Sequence, residues 1–230
     1  IGKAPTGYSI PLVQNGQGSQ DLALTDGLVA YWKADSNASD SVGSRNGSWV
    51  GASAYGTGLM SDAFSFDGAS TYVNAGSAPG LVVDPSSDPI TISVWVDFEG
   101  DSSIQYLAGL VNVGNTYLSI RGDAGRMPRF HVSGLGGVES ASQVPASGWH
   151  NIVLVHSGGA VTSTNTKIYI DGSSTTINDA GNGSMDFTGG NVWLGRADGD
   201  GGYYEHLLDE IAIWNRALSA RSEEHTSELQ

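Results

Sequence analysis

A chain of 230 residues with no cysteine has no disulfides, no thiolate metal sites and no cysteine nucleophile, although it is long enough to bury a core without them. Its net charge of −14, with Lys and Arg totalling 10, argues against nucleic acid and anionic membrane surfaces as partners, because both need clustered cations. The same acidity, spread over Asp- and Asn-bearing turns, suits a divalent cation held by carboxylate and carbonyl oxygens.

In chain order, residues 1–21 are polar, bear Gly, Gln and Ser, and show no period; they read as a linker or the end of a preceding domain. The opening "IGKAPTGYSI" has no Met, so the sequence reads as a piece of a longer reading frame. No apolar run is long enough to span a bilayer. From 22 to 220 the pattern is one of short alternating runs between turn signals. "LVAYW" (28–32) and "AFSFDG" (63–68) come first. "PITISVWVDFE" (89–99) sets Ile90, Ile92, Val94, Val96 and Phe98 on one face, with Thr91, Ser93, Asp97 and Glu99 on the other. "YLAGLVNV", "TYLSIRGD", "RFHVSG", "WHNIVLVHSG", "TKIYIDG", "NVWLGRA" and "LLDEIAIWN" continue the series. Period 2, β-branched and aromatic enrichment, and Gly/Asn/Asp/Ser breaks predict strands. About ten of them predict an all-β protein of two packed antiparallel sheets or a barrel. Asp67-Gly68 and Asp171-Gly172 read as hairpin turns, and "RGD" (121–123) as a turn after a strand.

Six segments, in order, resemble the LamG-like jelly-roll family within the concanavalin A-like lectin/glucanase superfamily. They are "GLVAYWKAD", "DSVGSRNGSWVG", "AFSFDGASTYVNAG", "ITISVWVDF", "GWHNIVLVHSGG" with "TKIYIDG", and "LLDEIAIWNRALSA". The resemblance covers about 27–220 and implies an antiparallel jelly-roll β-sandwich. It departs from the family at Leu207-Leu208, where a Gly commonly precedes the Asp-Glu pair, and this puts the local turn in question. The last ten residues, "RSEEHTSELQ", resemble a translated short-read sequencing adapter. On that reading 221–230 are an artefact outside the fold, and the chain is a fragment from environmental DNA.

The candidate chemistry is sparse. If Leu207, Ile211 and Ile213 face the core, alternation turns Asp209 the same way, and a buried carboxylate needs a partner or a cation. One reading makes Asp209 a Ca²⁺ ligand, completed by backbone carbonyls and by Asp35 or Asp67; the resemblance implies a calcium near this closing strand. The other has a bulge turn it outward, or backbone N–H groups hold it. Glu210 reads as a solvated face residue. His150, after Trp149, is expected to hydrogen-bond within the sandwich, and the remaining His show no metal-site spacing. The superfamily's glucanases carry a run of alternating acids on one strand face; the nearest approach here is Asp97 and Glu99, which read as a solvated face. No Gly-x-Ser-x-Gly elbow and no P-loop occurs. The 6 Trp fall in strand patterns and default to the core. Tyr203 and Tyr204, beside the "RADGDGG" loop with Asp198 and Asp200, are the candidate exposed aromatics and ligand-binding residues.

These features lead to the expectation of a non-catalytic recognition or adhesion module that binds glycan or another surface polymer and carries structural Ca²⁺. It would belong, with other domains, to a longer extracellular, cell-surface or virion protein of prokaryotic or viral source. The alternatives are a structural spacer, as in a phage tail, and an accessory module of a glycoside hydrolase, or such an enzyme itself.

Overall fold

The computed structural model describes residues 24–77, 88–97, 104–111, 116–121, 126–132, 136–179, 183–184, 191–197 and 202–219. The strands are β1 (Leu28–Trp32), β2 (Ser48–Val50), β3 (Tyr55–Thr57), β4 (Asp62–Asp67), β5 (Tyr72–Ser77), β6 (Ile90–Asp97), β7 (Ile104–Val111), β8 (Thr116–Arg121) and β9 (Met127–Val132). They continue with β10 (Gly136–Ser140), β11 (Trp149–His156), β12 (Ala160–Val161), β13 (Thr166–Ile170), β14 (Ser173–Ser174), β15 (Ile177–Asp179), β16 (Gly183–Ser184), β17 (Asn191–Leu194) and β18 (Glu205–Trp214). Each alternating run of the sequence corresponds to one of them.

Sheet I has the order β14-β13-β11-β6-β18-β4-β3, with β1 also beside β18; sheet II has the order β15-β10-β9-β8-β7-β17-β5-β2. The pairings are antiparallel throughout. One apolar core joins the two sheets: Ile90, Ile92, Val94, Val96, Ile152 and Leu154 from sheet I meet Val73, Phe130, Val138, Val192 and Leu194 from sheet II. Each such burial contributes roughly 1.5–3 kcal/mol. Ile152→Ala would therefore cost about 2–5 kcal/mol through lost contact and a cavity.

The outer faces of the two sheets differ, and this positions the site. On sheet I the alternate residues are also buried: Thr91, Ser93 and Trp95 are each no more than 5% exposed. The N-terminal turn lies against Trp214 and the segment after β18 covers Thr91. Trp214 Nε1 donates to the Leu24 carbonyl at 2.6 Å, Thr91 Oγ1 donates to the Arg216 carbonyl at 2.8 Å, and Leu218 packs with Tyr31 and Trp214. The face of β6 opposite its core positions, on which Asp97 and Glu99 read as solvated, is thus buried at Thr91 and Ser93. On sheet II the residues flanking the core positions Val73, Phe130 and Leu194 are Tyr72, Asn74, Arg129, His131 and Trp193, which turn away from the core.

Local turns follow their chemistry. Asp171 (φ 49) and Gly172 (φ 74) close the two-residue β13–β14 hairpin, the positive-φ pair such turns require. Asp67-Gly68 does different work from the hairpin expected: it carries the chain from β4 in sheet I to β5 in sheet II. His150 shares Asp171 with the Asn151 amide, at 2.9 Å each, so its expected internal hydrogen bond is present. The Leu207-Leu208 departure leaves no break, because β18 runs through it.

Candidate functional site

Two groups of side chains stand out, one on each sheet. The first forms on sheet II from three segments. Trp193 on β17 lies in register with Asn74 on β5, so Trp193 and Tyr72 share the outer face, with ring centroids 5.2 Å apart. The chain then turns at Gly195 (φ 80), where a Cβ would press on the Phe66 ring at 2.7 Å, and Arg196 bridges to Tyr203. The Arg196 guanidinium carbon lies 4.4 Å from the Trp193 centroid, 4.8 Å from Tyr72 and 5.1 Å from Tyr203. These are cation–π distances, each worth about 0.5–1 kcal/mol when partly exposed. Trp193, Arg196 and Tyr203 are half-buried. The Trp193 Nε1 atom is buried without a hydrogen-bond partner.

Tyr203 thus joins an aromatic cluster, whereas Tyr204 does not. Alternation turns Tyr204 inward, where it is 0% exposed, packs on Phe66 and donates from its hydroxyl toward the Asp97 and Leu207 carbonyls at 3.2 and 3.3 Å. Burial, with the Asp97 charge adding to it, pushes its phenol well above the usual range. Tyr204 is a core residue, which corrects its place among the exposed aromatics. Asp198 and Asp200 lie outside the described residues, as do Glu99 and Asp123.

The second group gathers where β18 changes partners. Its first half pairs with β4 and its second with β1, and between Asp209 and Ala212 its register against β6 shifts. The extra residue of this bulge makes Leu208, Ile211 and Ile213 the core positions, not Leu207, so Asp209 turns to the opposite face. It is nevertheless 1% exposed, beneath the 57–62 loop. Leu59 N–H donates to its Oδ2 at 2.8 Å and Glu210 N–H to its Oδ1 at 2.9 Å. Burial pushes the Asp209 carboxyl up to about 7, with the Asp35 charge also raising it and backbone N–H groups opposing. Glu210, at φ 48 in the bulge, is 9% exposed and pushed by burial to about 7. The solvated role expected for Glu210 is therefore corrected: the bulge buries it.

Asp35 belongs to this group. Its Oδ1 is buried without a hydrogen-bond partner, and its charge reaches Asp209. Ser36 Oγ donates to Asp62 Oδ2, which brings in Asp62, a residue the sequence reading passed over as the lead-in to "AFSFDG". Gly58 closes the cradle: a Cβ there would meet the Asp62 backbone at 2.6 Å and Asp209 Oδ2 at 2.7 Å. Asp67 is not brought to it. It pairs with Glu205, four residues along β18 from Asp209, roughly 13 Å at strand rise. Its oxygens accept Ala69, Ser70 and Thr71 N–H groups and both hydroxyls of Ser70 and Thr71. The Ser70 and Ala69 amides lead in holding its pKa far below the usual carboxylate range. Among the described residues no three His, Asp or Glu side chains are grouped to hold a metal ion alone, so a cation here needs backbone carbonyls as well. The orphaned Asp35 oxygen, the buried Asp209 carboxylate and the Gly58 cradle fit such an ion.

Among the described residues no helix is long and apolar enough to cross a membrane.

A family model described as the concanavalin A-like lectin/glucanases superfamily matches residues 67–222. No curated protein matches the chain. Among solved structures, domain 4 of AbnA, a GH43 extracellular arabinanase from Geobacillus stearothermophilus, in complex with arabinotriose, is similar at TM-score 0.68 and 20% identity, over 87% of this chain and 98% of that one. A Trypanosoma rangeli sialidase is similar at TM-score 0.61 and 15% identity, over 88% of this chain and 32% of that one. The receptor binding domain of botulinum neurotoxin D is similar at TM-score 0.60 and 12% identity, over 89% and 53%. The chain thus matches one whole domain in the first case and about a third of the sialidase in the second.

Proposed function

The chain belongs to the concanavalin A-like lectin/glucanase superfamily, and from that premise we propose that its jelly-roll sandwich is a non-catalytic glycan-recognition module of a longer extracellular or surface protein. The observation that carries the reading is the Trp193–Tyr72–Tyr203 group around Arg196 on the outer face of sheet II. Sugars present C–H faces to aromatic rings and hydroxyls to polar edges, and a partly exposed cluster on a rigid sheet offers both. The likeness to an arabinanase domain solved with arabinotriose supports a carbohydrate ligand, and its being one domain of a larger enzyme supports an accessory role.

In this reading the second group is structural. Asp209 and Asp35, with backbone carbonyls of the 57–62 loop, would hold Ca²⁺, whose charge would offset that of two carboxylates otherwise poorly solvated. It would tie β18 to the loops that follow β1 and β3, remote from the sugar-binding face. A glycan array run on the full chain in Ca²⁺ and again in EDTA tests the function. Binding to a defined glycan class that Trp193→Ala removes is the expected result. A well-folded sample that binds no glycan in either buffer overturns it.

A further inference from the structure

Resting on that glycan reading, we infer that the module has a second, weaker sugar-binding face on the opposite side of the sandwich, formed by Trp149 and Asp97 of sheet I, and that it takes a neutral glycan. The outer face of sheet I is closed along most of its length. Ala217 packs on Val153, Val155 and Tyr169, and Leu218 N–H donates to Thr91 Oγ1 at 3.0 Å. The far end is different: β6 is buried from Ile90 to Val96 and opens at Asp97, while β11 is buried from Asn151 to His156 and opens at Trp149 and His150. Asp97 lies six residues beyond Thr91, roughly 20 Å at strand rise. Trp149 is in register with Asp97, Asp97 with Leu207 and Leu207 with Ser65, and all of them are half-buried. Residues so paired share a face, with Cβ atoms about 5 Å apart, and the row spans roughly 14 Å. Alternation with the core residues Val96 and Ile152 turns Asp97 and Trp149 outward.

The chemistry of the pair is that of a sugar contact. An indole offers a ring face to sugar C–H groups and an N–H that only donates, whereas a carboxylate only accepts. Among the described residues neither Trp149 Nε1 nor the Asp97 carboxylate has a hydrogen-bond or ionic partner, and neither is buried away from solvent. A hydroxyl both donates and accepts, so neighbouring hydroxyls of one sugar satisfy both groups. A lone ammonium satisfies Asp97 and leaves the indole N–H bare. Asp97 itself and the net charge of −14 disfavour an acidic sugar, which makes the ligand neutral. The Asp97 main chain is held from within, its carbonyl accepting from the Tyr204 hydroxyl at 3.2 Å, so less order is lost when a ligand binds. Two sheets packed about 10 Å apart separate this face from the Trp193 cluster. One short oligosaccharide cannot touch both, and the module is bivalent. With one ring against three, this is the weaker face, seen by titration rather than on an array.

The test is isothermal titration of the full chain with the neutral trisaccharides arabinotriose, xylotriose, cellotriose and maltotriose. For at least one of them Trp193→Ala is expected to retain a residual affinity about 10-fold or more below that of the wild type. Asp97→Asn and Trp149→Ala, each added to Trp193→Ala, should lower that residual affinity by a further factor of about 5 or more with an unchanged circular dichroism spectrum. Asp97→Asn, which keeps the side-chain shape, carries the test if Trp149→Ala does not fold. No residual binding in Trp193→Ala, where the wild type binds, overturns this inference and leaves the glycan reading standing. Residual binding that survives both added substitutions also overturns it. Wild-type binding that Trp149→Ala abolishes and Trp193→Ala leaves intact supports the sheet I face and overturns the one on sheet II. No binding of any of these sugars by a folded wild type overturns both.

Discussion

Arg196 stacks on Trp193, its guanidinium carbon 4.4 Å from the ring centroid, although the two residues stand on a strand end and a turn whose geometry is set from elsewhere. Leu194 between them is fully buried and fixes Trp193 outward; Gly195, with φ 80, lets the chain turn against Phe66 and bring Arg196 back over the ring. The cluster is thus held by core residues beneath it.

Tyr203 and Tyr204 are adjacent in sequence and should respond oppositely to mutation. Tyr203→Ala is expected to weaken glycan binding severalfold and to leave the melting temperature within a few degrees. Tyr204→Phe should leave binding unchanged but strand the Asp97 and Leu207 carbonyls, costing about 1 kcal/mol and lowering the melting temperature by roughly 2–4 °C for a chain of this size. Parallel titration and thermal melts of the two variants check this; the reverse pattern would exchange their roles.

Calcium should stabilise the chain through Asp209. At an ion concentration 100-fold above its dissociation constant the gain is about 2.7 kcal/mol. Thermal melts in Ca²⁺ and in EDTA are expected to differ for the wild type and to coincide for Asp209→Asn. Identical wild-type melts with millimolar Ca²⁺ present would remove the ion from the account.

The pH dependence of the metal-free chain carries a definite sign. Folded Asp209 and Glu210 hold their protons up to about 7, against 3.8 and 4.5 for the free groups. Between these values the native state binds more protons than the unfolded one, so this contribution is present below the ordinary carboxylate range and is lost as pH rises through about 7. Each unit between the free and the folded value is worth on the order of 1.4 kcal/mol per group. Burial lowers the pKa of His156 from 6.5, which works in the other direction as pH falls below that value. Urea midpoints in EDTA should therefore decline from pH 5.5 to pH 7.5, and Asp209→Asn should flatten the decline. A rising midpoint over that interval would contradict the burial argument.

Gly58→Ala tests the cradle. Its Cβ would lie 2.7 Å from Asp209 Oδ2 and 2.6 Å from the Asp62 backbone, distances that force the loop outward. A cost of about 1–3 kcal/mol is expected from overpacking, together with loss of the calcium-dependent shift. Gly76→Ala, at a site with nothing within 4 Å but φ 76, serves as a control for backbone strain alone.

The sandwich was legible because its strands are written in period 2. "PITISVWVDFE" states its own core face, and Ile90, Ile92, Val94 and Val96 are each 0% exposed. Whether the second face of such a strand meets water was not legible: the chain that covers Thr91 comes from 125 residues away. Asp209 shows the cost of a missing residue count. Alternation from Ile211 points it into the core, and only the bulge, which no turn residue announces, sends it to the other side and buries Glu210 with it. Tyr203 and Tyr204 were told apart by one alternation step beside a loop where the phase cannot be counted. Trp193 was assigned to the core with its fellows because each lies in an apolar run. Trp32, Trp95 and Trp214 are buried, and Trp193 differs through its neighbours Val192 and Leu194, whose inward pattern was the available signal. Tyr72, Trp193 and Arg196 come from separated segments, so their meeting depends on the sheet order, which the sequence pattern does not state.

The most direct measurement is titration of the full chain, wild type and Trp193→Ala, against the glycan class that an array selects. A loss of about 10-fold or more, near 1.4 kcal/mol, with an unchanged melting temperature would place recognition on the outer face of sheet II. Equal affinity of the two proteins, or no glycan binding by a folded wild type, would contradict the account.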